Sequence, residues 1–110
     1  MKRVCIAFIS KRLKADFDSL EQGKAEERTL WRSMDIALDS IKSDPCSGTK
    51  IEKRLWPKEY VKKYGINNLW KCNLTRGWRM TYTIKTDSSD IVCILLEWLP
   101  NKEYDRRFGY

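Results

Sequence analysis

The chain has 110 residues, a net charge of +7 and 42% hydrophobic residues. A chain of this length predicts a single domain, residues 1–110, with a core that needs no disulfide or metal staple. The four cysteines form no C-x-x-C pair and histidine is absent, so we expect neither a metal site nor a cofactor.

The charge is distributed unevenly along the chain. Residues 1–49 contain nine Lys and Arg against eight Asp and Glu, whereas residues 50–110 contain thirteen against seven. A basic second half favours a polyanionic partner such as RNA, DNA or an acidic protein. A solvated basic surface without a ligand is the alternative.

The N-terminal segment predicts a strand. Residues 4–9 are apolar on both faces, which is typical of a strand that is covered on both sides or lies near the centre of a sheet. The apolar run ends at Ile9, before a basic stretch, and it is too short to span a bilayer. We therefore expect a cytoplasmic protein with reduced thiols and no membrane partner, in which Cys5, Cys72 and Cys93 are small buried hydrophobes.

Two amphipathic helices are predicted next. Ser10 can cap the first helix, which ends before Gly23, and its apolar face is formed by Leu13, Phe17 and Leu20. The second begins at about Glu26 and stops before Pro45, because the residue preceding a proline avoids helical geometry. Its apolar face is formed by Leu30, Met34, Ala37, Leu38 and Ile41. We expect these helices to form an antiparallel hairpin that packs on a sheet.

The middle of the chain is predicted to be a loop, residues 45–52, followed by a short helix between Pro57 and Gly65. Three aromatic residues share one face of that helix and are interpreted as packing residues: Trp56, Tyr60 and Tyr64. Lys62 and Lys63 are candidates for weak phosphate attraction.

A β-hairpin is predicted over residues 68–84, with its turn at Thr75–Gly77, where the glycine supplies a positive φ. Period-2 alternation divides the strand side chains between two faces. The apolar face carries Trp70, Cys72, Leu74, Trp78, Met80, Tyr82 and Ile84. The other face is cationic, carries no carboxylate from either strand and is interpreted as the working surface: Lys71, Asn73, Arg79, Thr81 and Thr83.

A second central strand is predicted over residues 91–99, ended by Pro100 and followed by a charged tail. The order of elements predicts an α+β fold. It comprises an N-terminal strand, a two-helix antiparallel hairpin and a three-stranded antiparallel meander, which form one mainly antiparallel sheet.

Several motifs in residues 70–110 are similar to those of one protein family. They are L-W-K-C-N-L, G-W-R-M-T-Y, the long apolar last strand and N-K-E-Y-D-R-R-F-G-Y. Together with the order of elements, they resemble the RelE/ParE superfamily of type II toxin–antitoxin toxins. The resemblance implies a RelE-like fold and a ribosome-dependent, metal-independent endoribonuclease that cuts mRNA in the ribosomal A site and so inhibits translation. It also implies an antitoxin peptide as partner, with mRNA on the ribosome as substrate.

The resemblance assigns candidate residues position by position. Lys71 falls on the strand lysine of the family and Arg79 on its strand arginine, while the C-terminal candidates are Lys102, Tyr104, Arg106, Arg107 and Tyr110. Two positions depart from the family pattern: Asn73 replaces a second lysine, and Asn101 replaces a histidine found in many relatives.

The chemistry of RNA cleavage through a 2′-OH suggests roles for these residues. It requires a base, charge stabilisation of the phosphorane and help for the leaving oxygen. Arg79 is the candidate charge stabiliser and Lys71 the candidate base. Tyr104 or Tyr110 is expected to share proton transfer or to stack on a base, and Arg106 or Arg107 to donate to the phosphate. The candidate RNA-binding residues are Asn73, Arg76, Lys102, Arg107, Lys62 and Lys63.

Two other function classes stay open from the sequence. One is a non-catalytic binding module of the same fold, either gyrase-directed as in the ParE branch or degenerate. The other is a basic nucleic-acid-binding domain outside any toxin system. The absence of histidine and the presence of Asn73 favour the first of these alternatives.

Overall fold

The computed structural model describes residues 2–109 and shows an α+β fold with one mixed five-stranded sheet. The strands are β1 (Arg3–Phe8), β2 (Thr49–Lys50), β3 (Trp70–Asn73), β4 (Arg79–Thr86) and β5 (Asp90–Leu99). The helices are α1 (Lys11–Glu21), α2 (Ala25–Ser43), α3 (Lys58–Tyr64) and α4 (Asn101–Phe108). The strand order is β1-β5-β4-β3-β2; β1 runs parallel to β5 and the other neighbours are antiparallel. Among the helices of residues 2–109, none has the length and apolar character that a membrane crossing requires.

The α+β class is confirmed, but two strand assignments are wrong. β1 lies at an edge of the sheet rather than near its centre, and residues 4–8 are only partly buried. It is apolar because Val4, Ile6 and Phe8 pack against the core beneath α1 and α2. Residues 45–52 were expected to form only a loop, yet β2 pairs with β3 at the opposite edge.

The first core lies between the α1–α2 pair and one face of the sheet. Ser10 caps α1 as predicted, with its Oγ accepting a hydrogen bond from the Leu13 amide at 3.1 Å. α2 ends at Ser43, before Pro45, as predicted. The buried residues of this core are Phe17, Leu30, Met34, Ile41, Leu74, Met80, Tyr82, Cys93 and Leu95. Apolar periodicity therefore placed this layer correctly.

The N-cap of α1 provides a stability test. Ser10→Ala removes the acceptor for the Leu13 amide and is expected to lower the free energy of unfolding by about 1 kcal/mol. Urea denaturation followed by far-UV circular dichroism measures this change. Ser10→Asp restores an acceptor and should recover most of the loss, whereas Ser19→Ala, at an exposed site within α1, should be close to neutral. Equal losses from Ser10→Ala and Ser10→Asp would contradict the capping role.

The second core covers the opposite face of the sheet, beneath α3 and α4. Its buried residues are Ile51, Tyr60, Ile66, Leu69, Leu96, Leu99, Tyr104 and Phe108. The aromatic face predicted for the short helix does pack inward: Tyr60 is buried, while Trp56 and Tyr64 pack against this core. The tail that was expected to be merely charged forms α4, because Tyr104 and Phe108 are four residues apart and share its inner side.

A β-bulge in β5 determines which of its residues enter this second core. Thr81 pairs with Glu97 whereas the next residue, Tyr82, pairs with Leu95, so Leu96 is an extra residue in β5. Leu96 packs in the second core, and the Glu97 side chain hydrogen-bonds on the same side of the sheet. The bulge therefore puts a carboxylate on the face that also carries Lys71 and Arg79.

The four cysteines are free thiols. Cys93 is buried, Cys5 and Cys72 are partly buried and Cys46 is exposed. Burial raises the pKa of Cys72 and that of Cys93 to about 11, so both thiols stay neutral near pH 7. The interpretation of Cys93 as a small buried hydrophobe is confirmed.

Candidate functional site

The turn between β3 and β4 sets the alignment of the candidate residues. Arg76 and Gly77 both have positive φ values, 56° and 79°, and the Leu74 amide donates to the Trp78 carbonyl at 2.8 Å. A Cβ added to Gly77 would lie 3.2 Å from the Cβ of Asn101, at the start of α4. The turn thus packs against α4, and an exposed Arg76 side chain lies at its tip.

Lys71 and Arg79 lie on the same face of the sheet. In the β3–β4 register, Lys71 pairs with Thr81 and Asn73 pairs with Arg79, so all four side chains project to one side. The Lys71 Nζ is 5.2 Å from the centroid of the Tyr104 ring, and the Arg79 Cζ is 5.8 Å from the same centroid. Two cations from adjacent strands therefore converge on one aromatic ring of α4.

The described protein supplies hydrogen-bond acceptors for only part of the Arg79 guanidinium. Its Nη1 donates to the Gly77 carbonyl at 2.8 Å, which fixes the plane of the side chain near the turn. Its Nε is buried and has no hydrogen-bond partner within residues 2–109. A buried donor without an acceptor is unfavourable, but a ligand can approach only the part of the guanidinium that remains exposed. The arrangement suits an anionic oxygen that approaches the half-buried Arg79 side chain.

Tyr104 is placed differently from the expectation that it stacks on an RNA base. Its side chain is 1% exposed, and its ring stacks on Phe108 with centroids 4.3 Å apart. A ring enclosed by protein on one side and by two cations offers no face to a base. The geometry therefore places Tyr104 beneath the cations rather than beside the substrate.

Two features of the predicted working surface are wrong. Thr81 and Thr83 were expected to be open, but they are 0% and 2% exposed because α3 and the segment before β3 cover them. The surface was also expected to lack a carboxylate. Glu97, opposite Thr81, supplies one, and the pattern of β3 and β4 alone did not reveal it. The accessible cationic part is accordingly the end of the sheet with Lys71, Asn73 and Arg79.

Glu97 is the centre of a polar network that sequence reasoning missed. Its carboxylate accepts hydrogen bonds from the Tyr60 hydroxyl and from Arg107 Nη1, the latter at 2.9 Å. Thr81 Oγ1 lies 3.1 Å from the Tyr60 hydroxyl oxygen, and Arg107 Nε also donates to Glu103 at 2.9 Å. Burial, followed by the charge of Glu97, raises the pKa of Tyr60 well above its usual range, so the hydroxyl remains a donor. The sequence signal for this network was Glu97 itself, a lone carboxylate within the apolar run of residues 91–99.

The other candidate cations surround this central group. Lys62 and Lys63 are exposed on α3, Lys102 is exposed on α4, and Arg106 is exposed while it pairs with Glu103. Arg107 is half-buried between Glu97 and Glu103. The candidate Tyr110 lies outside the described residues. These peripheral cations lie on α3 and α4, whereas Lys71 and Arg79 lie on β3 and β4.

Two clefts adjoin the site. One, of about 470 Å³, runs from Lys71 and Asn73 across the sheet edge to α2, where Ser33 and Ile36 line it. The other, of about 350 Å³, lies between α3 and α4 and is lined by Lys63, Tyr64, Glu97, Arg106 and Arg107, among others. Lys71 is the cation that lines the first cleft.

Within residues 2–109 there is no group of three or more His, Cys, Asp or Glu side chains arranged to hold a metal ion. Comparison of the chain with models of protein families, with curated proteins and with solved structures finds no match in any of the three.

Proposed function

We propose that this chain is the toxin of a type II toxin–antitoxin pair, with a RelE-like fold, acting in the cytoplasm as a ribosome-dependent, metal-independent mRNA endoribonuclease. The observation that carries the proposal is the convergence of Lys71 and Arg79 on one face of adjacent strands. The antiparallel pairing of β3 with β4 and of β4 with β5 agrees with the meander that the family resemblance implies. The sequence motifs in residues 70–110 supply the family assignment on which the proposal depends.

The proposed reaction is transesterification at a phosphodiester. The ribose 2′-oxygen forms a bond to phosphorus, the bond from phosphorus to the 5′-oxygen breaks, and the proton of the 2′-OH passes to a base. Lys71 is the proposed base, and the 5′-oxygen takes up a proton as it leaves. Arg79, whose Nη1 is fixed by the Gly77 carbonyl, stabilises the negative charge that develops on the non-bridging oxygens.

Charge supports an acidic peptide as the proposed antitoxin. The net charge of +7 and the exposed lysines near the site favour a polyanionic ligand, whether RNA or an acidic segment. The cleft that leads from α2 to Lys71 and Asn73 is open to such a segment. An antitoxin bound there would exclude RNA from Lys71 and Arg79, which accounts for inhibition by simple competition.

The experiment that tests this function adds the purified chain to a translation extract programmed with one defined mRNA. Primer extension maps the new mRNA ends, and parallel samples contain the same mRNA without ribosomes or the variant Arg79→Ala. We expect cuts within A-site codons, dependent on ribosomes and lost in the variant. An absence of cuts from a folded wild-type chain at any concentration that blocks translation would overturn the proposal.

A non-catalytic binding module with the same fold is the second candidate, and one observation favours it. Arg107 forms ion pairs with Glu97 and Glu103, and Arg106 forms one with Glu103. Both arginines are therefore paired within the protein rather than presented to a phosphate. If the chain leaves mRNA intact but inhibits DNA supercoiling by gyrase, the gyrase-directed form of this module replaces the nuclease.

A further inference from the structure

We propose that Tyr104 is a positioning residue whose buried ring holds Lys71 and Arg79 side by side for the substrate. The consequence for RNA cleavage rests on the proposed function, whereas the arrangement of the two cations rests on geometry alone. The proposal replaces the expected role of Tyr104 in proton transfer or in stacking on a base. It assigns to α4 a direct part in forming the site.

The distances support a shared platform. The Lys71 Nζ lies 5.2 Å and the Arg79 Cζ 5.8 Å from the centroid of the Tyr104 ring, both within the range of cation–π attraction. The ring carries partial negative charge on its faces, so it offsets part of the repulsion between the two cations.

The ring itself is firmly held. Phe108 stacks on Tyr104 with an angle of 16° between the ring planes, and Tyr60 packs edge-on against Phe108. Arg107 of α4 forms an ion pair with Glu97 of β5, and this pair fixes the helix against the sheet. The platform is therefore built on rigid elements, as a preorganised site requires.

A graded ring series separates this electrostatic role from simple packing. The starting variant is Tyr104→Phe, and fluorinated phenylalanines with one, two and three ring fluorines are then introduced at position 104. The hydrophobic ring and its stack on Phe108 are retained throughout the series, while fluorination progressively withdraws charge from the ring face. The same series at Phe8 is the matched control, since Lys14 lies 5.7 Å from the centroid of that ring on the other side of the sheet.

The first readout needs no activity and no RNA. NMR relaxation of the Arg79 Nε–H and of the Lys71 ε-methylene reports how tightly each side chain is held. We expect both to gain motion stepwise with fluorination at position 104, and neither to respond to fluorination at Phe8. Unchanged relaxation across a folded series at position 104 would overturn the positioning role.

The second readout is the rate of mRNA cleavage on programmed ribosomes. We expect Tyr104→Phe to cleave at nearly the wild-type rate, which excludes the hydroxyl from proton transfer, and the trifluorinated variant to be about fivefold slower. A large loss in Tyr104→Phe would overturn the proposal in favour of a catalytic hydroxyl. If the wild-type chain does not cleave mRNA while the relaxation changes appear, the positioning role stands and the proposed function fails.

Discussion

Arg79→Ala is expected to slow mRNA cleavage by about 100- to 1,000-fold, the usual effect of removing one preorganised donor from a developing negative charge. The half-buried guanidinium is fixed by the Gly77 carbonyl, and its Nε has no partner in the described protein. The loss should appear in kcat at saturating ribosome concentration, because the donor acts most strongly in the transition state. Single-turnover cleavage of one mRNA on programmed ribosomes measures it.

Two further variants sharpen this prediction. Arg79→Lys keeps the charge but loses the planar fork, so we expect it to recover only part of the rate. Arg32→Ala, an exposed arginine on α2 at the opposite side of the sheet, removes the same charge from the molecule and should leave cleavage unchanged. Equal losses in Arg79→Ala and Arg32→Ala would indicate an effect of net charge, and undiminished cleavage in Arg79→Ala would remove Arg79 from the mechanism.

Glu97→Ala is expected to lower the free energy of unfolding by about 2–3 kcal/mol, since it leaves charged and polar partners unpaired at a half-buried site. The carboxylate accepts from Tyr60 and from Arg107, and its side chain is 19% exposed. Both partners lie on the helices that cover the second face. The loss should therefore loosen α3 and α4 from the sheet, which urea denaturation and hydrogen exchange in residues 101–108 would detect.

Two control variants accompany Glu97→Ala: one removes an exposed carboxylate elsewhere, and the other replaces the Glu97 carboxylate with an amide. Glu52→Ala breaks an ion pair with Arg54 whose side chains are 65% and 75% exposed, and we expect a loss of less than about 1 kcal/mol. Glu97→Gln keeps an acceptor for the Tyr60 hydroxyl and should be milder than Glu97→Ala. A Glu97→Ala protein as stable as Glu52→Ala would contradict the structural role of the network.

The first layer of the fold was predictable because its signals are local. The 3.6-residue period of α2, the cap at Ser10 and the stop before Pro45 each depend on neighbouring residues only. The shared face of Lys71 and Arg79 was also predictable, since strand alternation and a three-residue turn determine it.

The second layer was not predictable in the same way. α4 is short and highly charged, and its apolar side consists of only two buried residues, Tyr104 and Phe108. The bulge at Leu96 interrupts alternation in β5, so the orientation of Glu97 cannot be read from the sequence period. The sequence pointed to Tyr104 as a candidate residue, but its place beneath the cations depends on how α4 docks, which is a tertiary property.

The pairing of β1 with β5 has a consequence for the order in which the sheet and the site form during synthesis. β1 is made first among the described elements. It can pair with β5 only after Asp90 and the residues that follow it in β5 have been translated. The Tyr104 platform is made later still, on the helix that follows β5. The fixed arrangement of Lys71 and Arg79 therefore depends on a helix that is made after both of the strands that carry them.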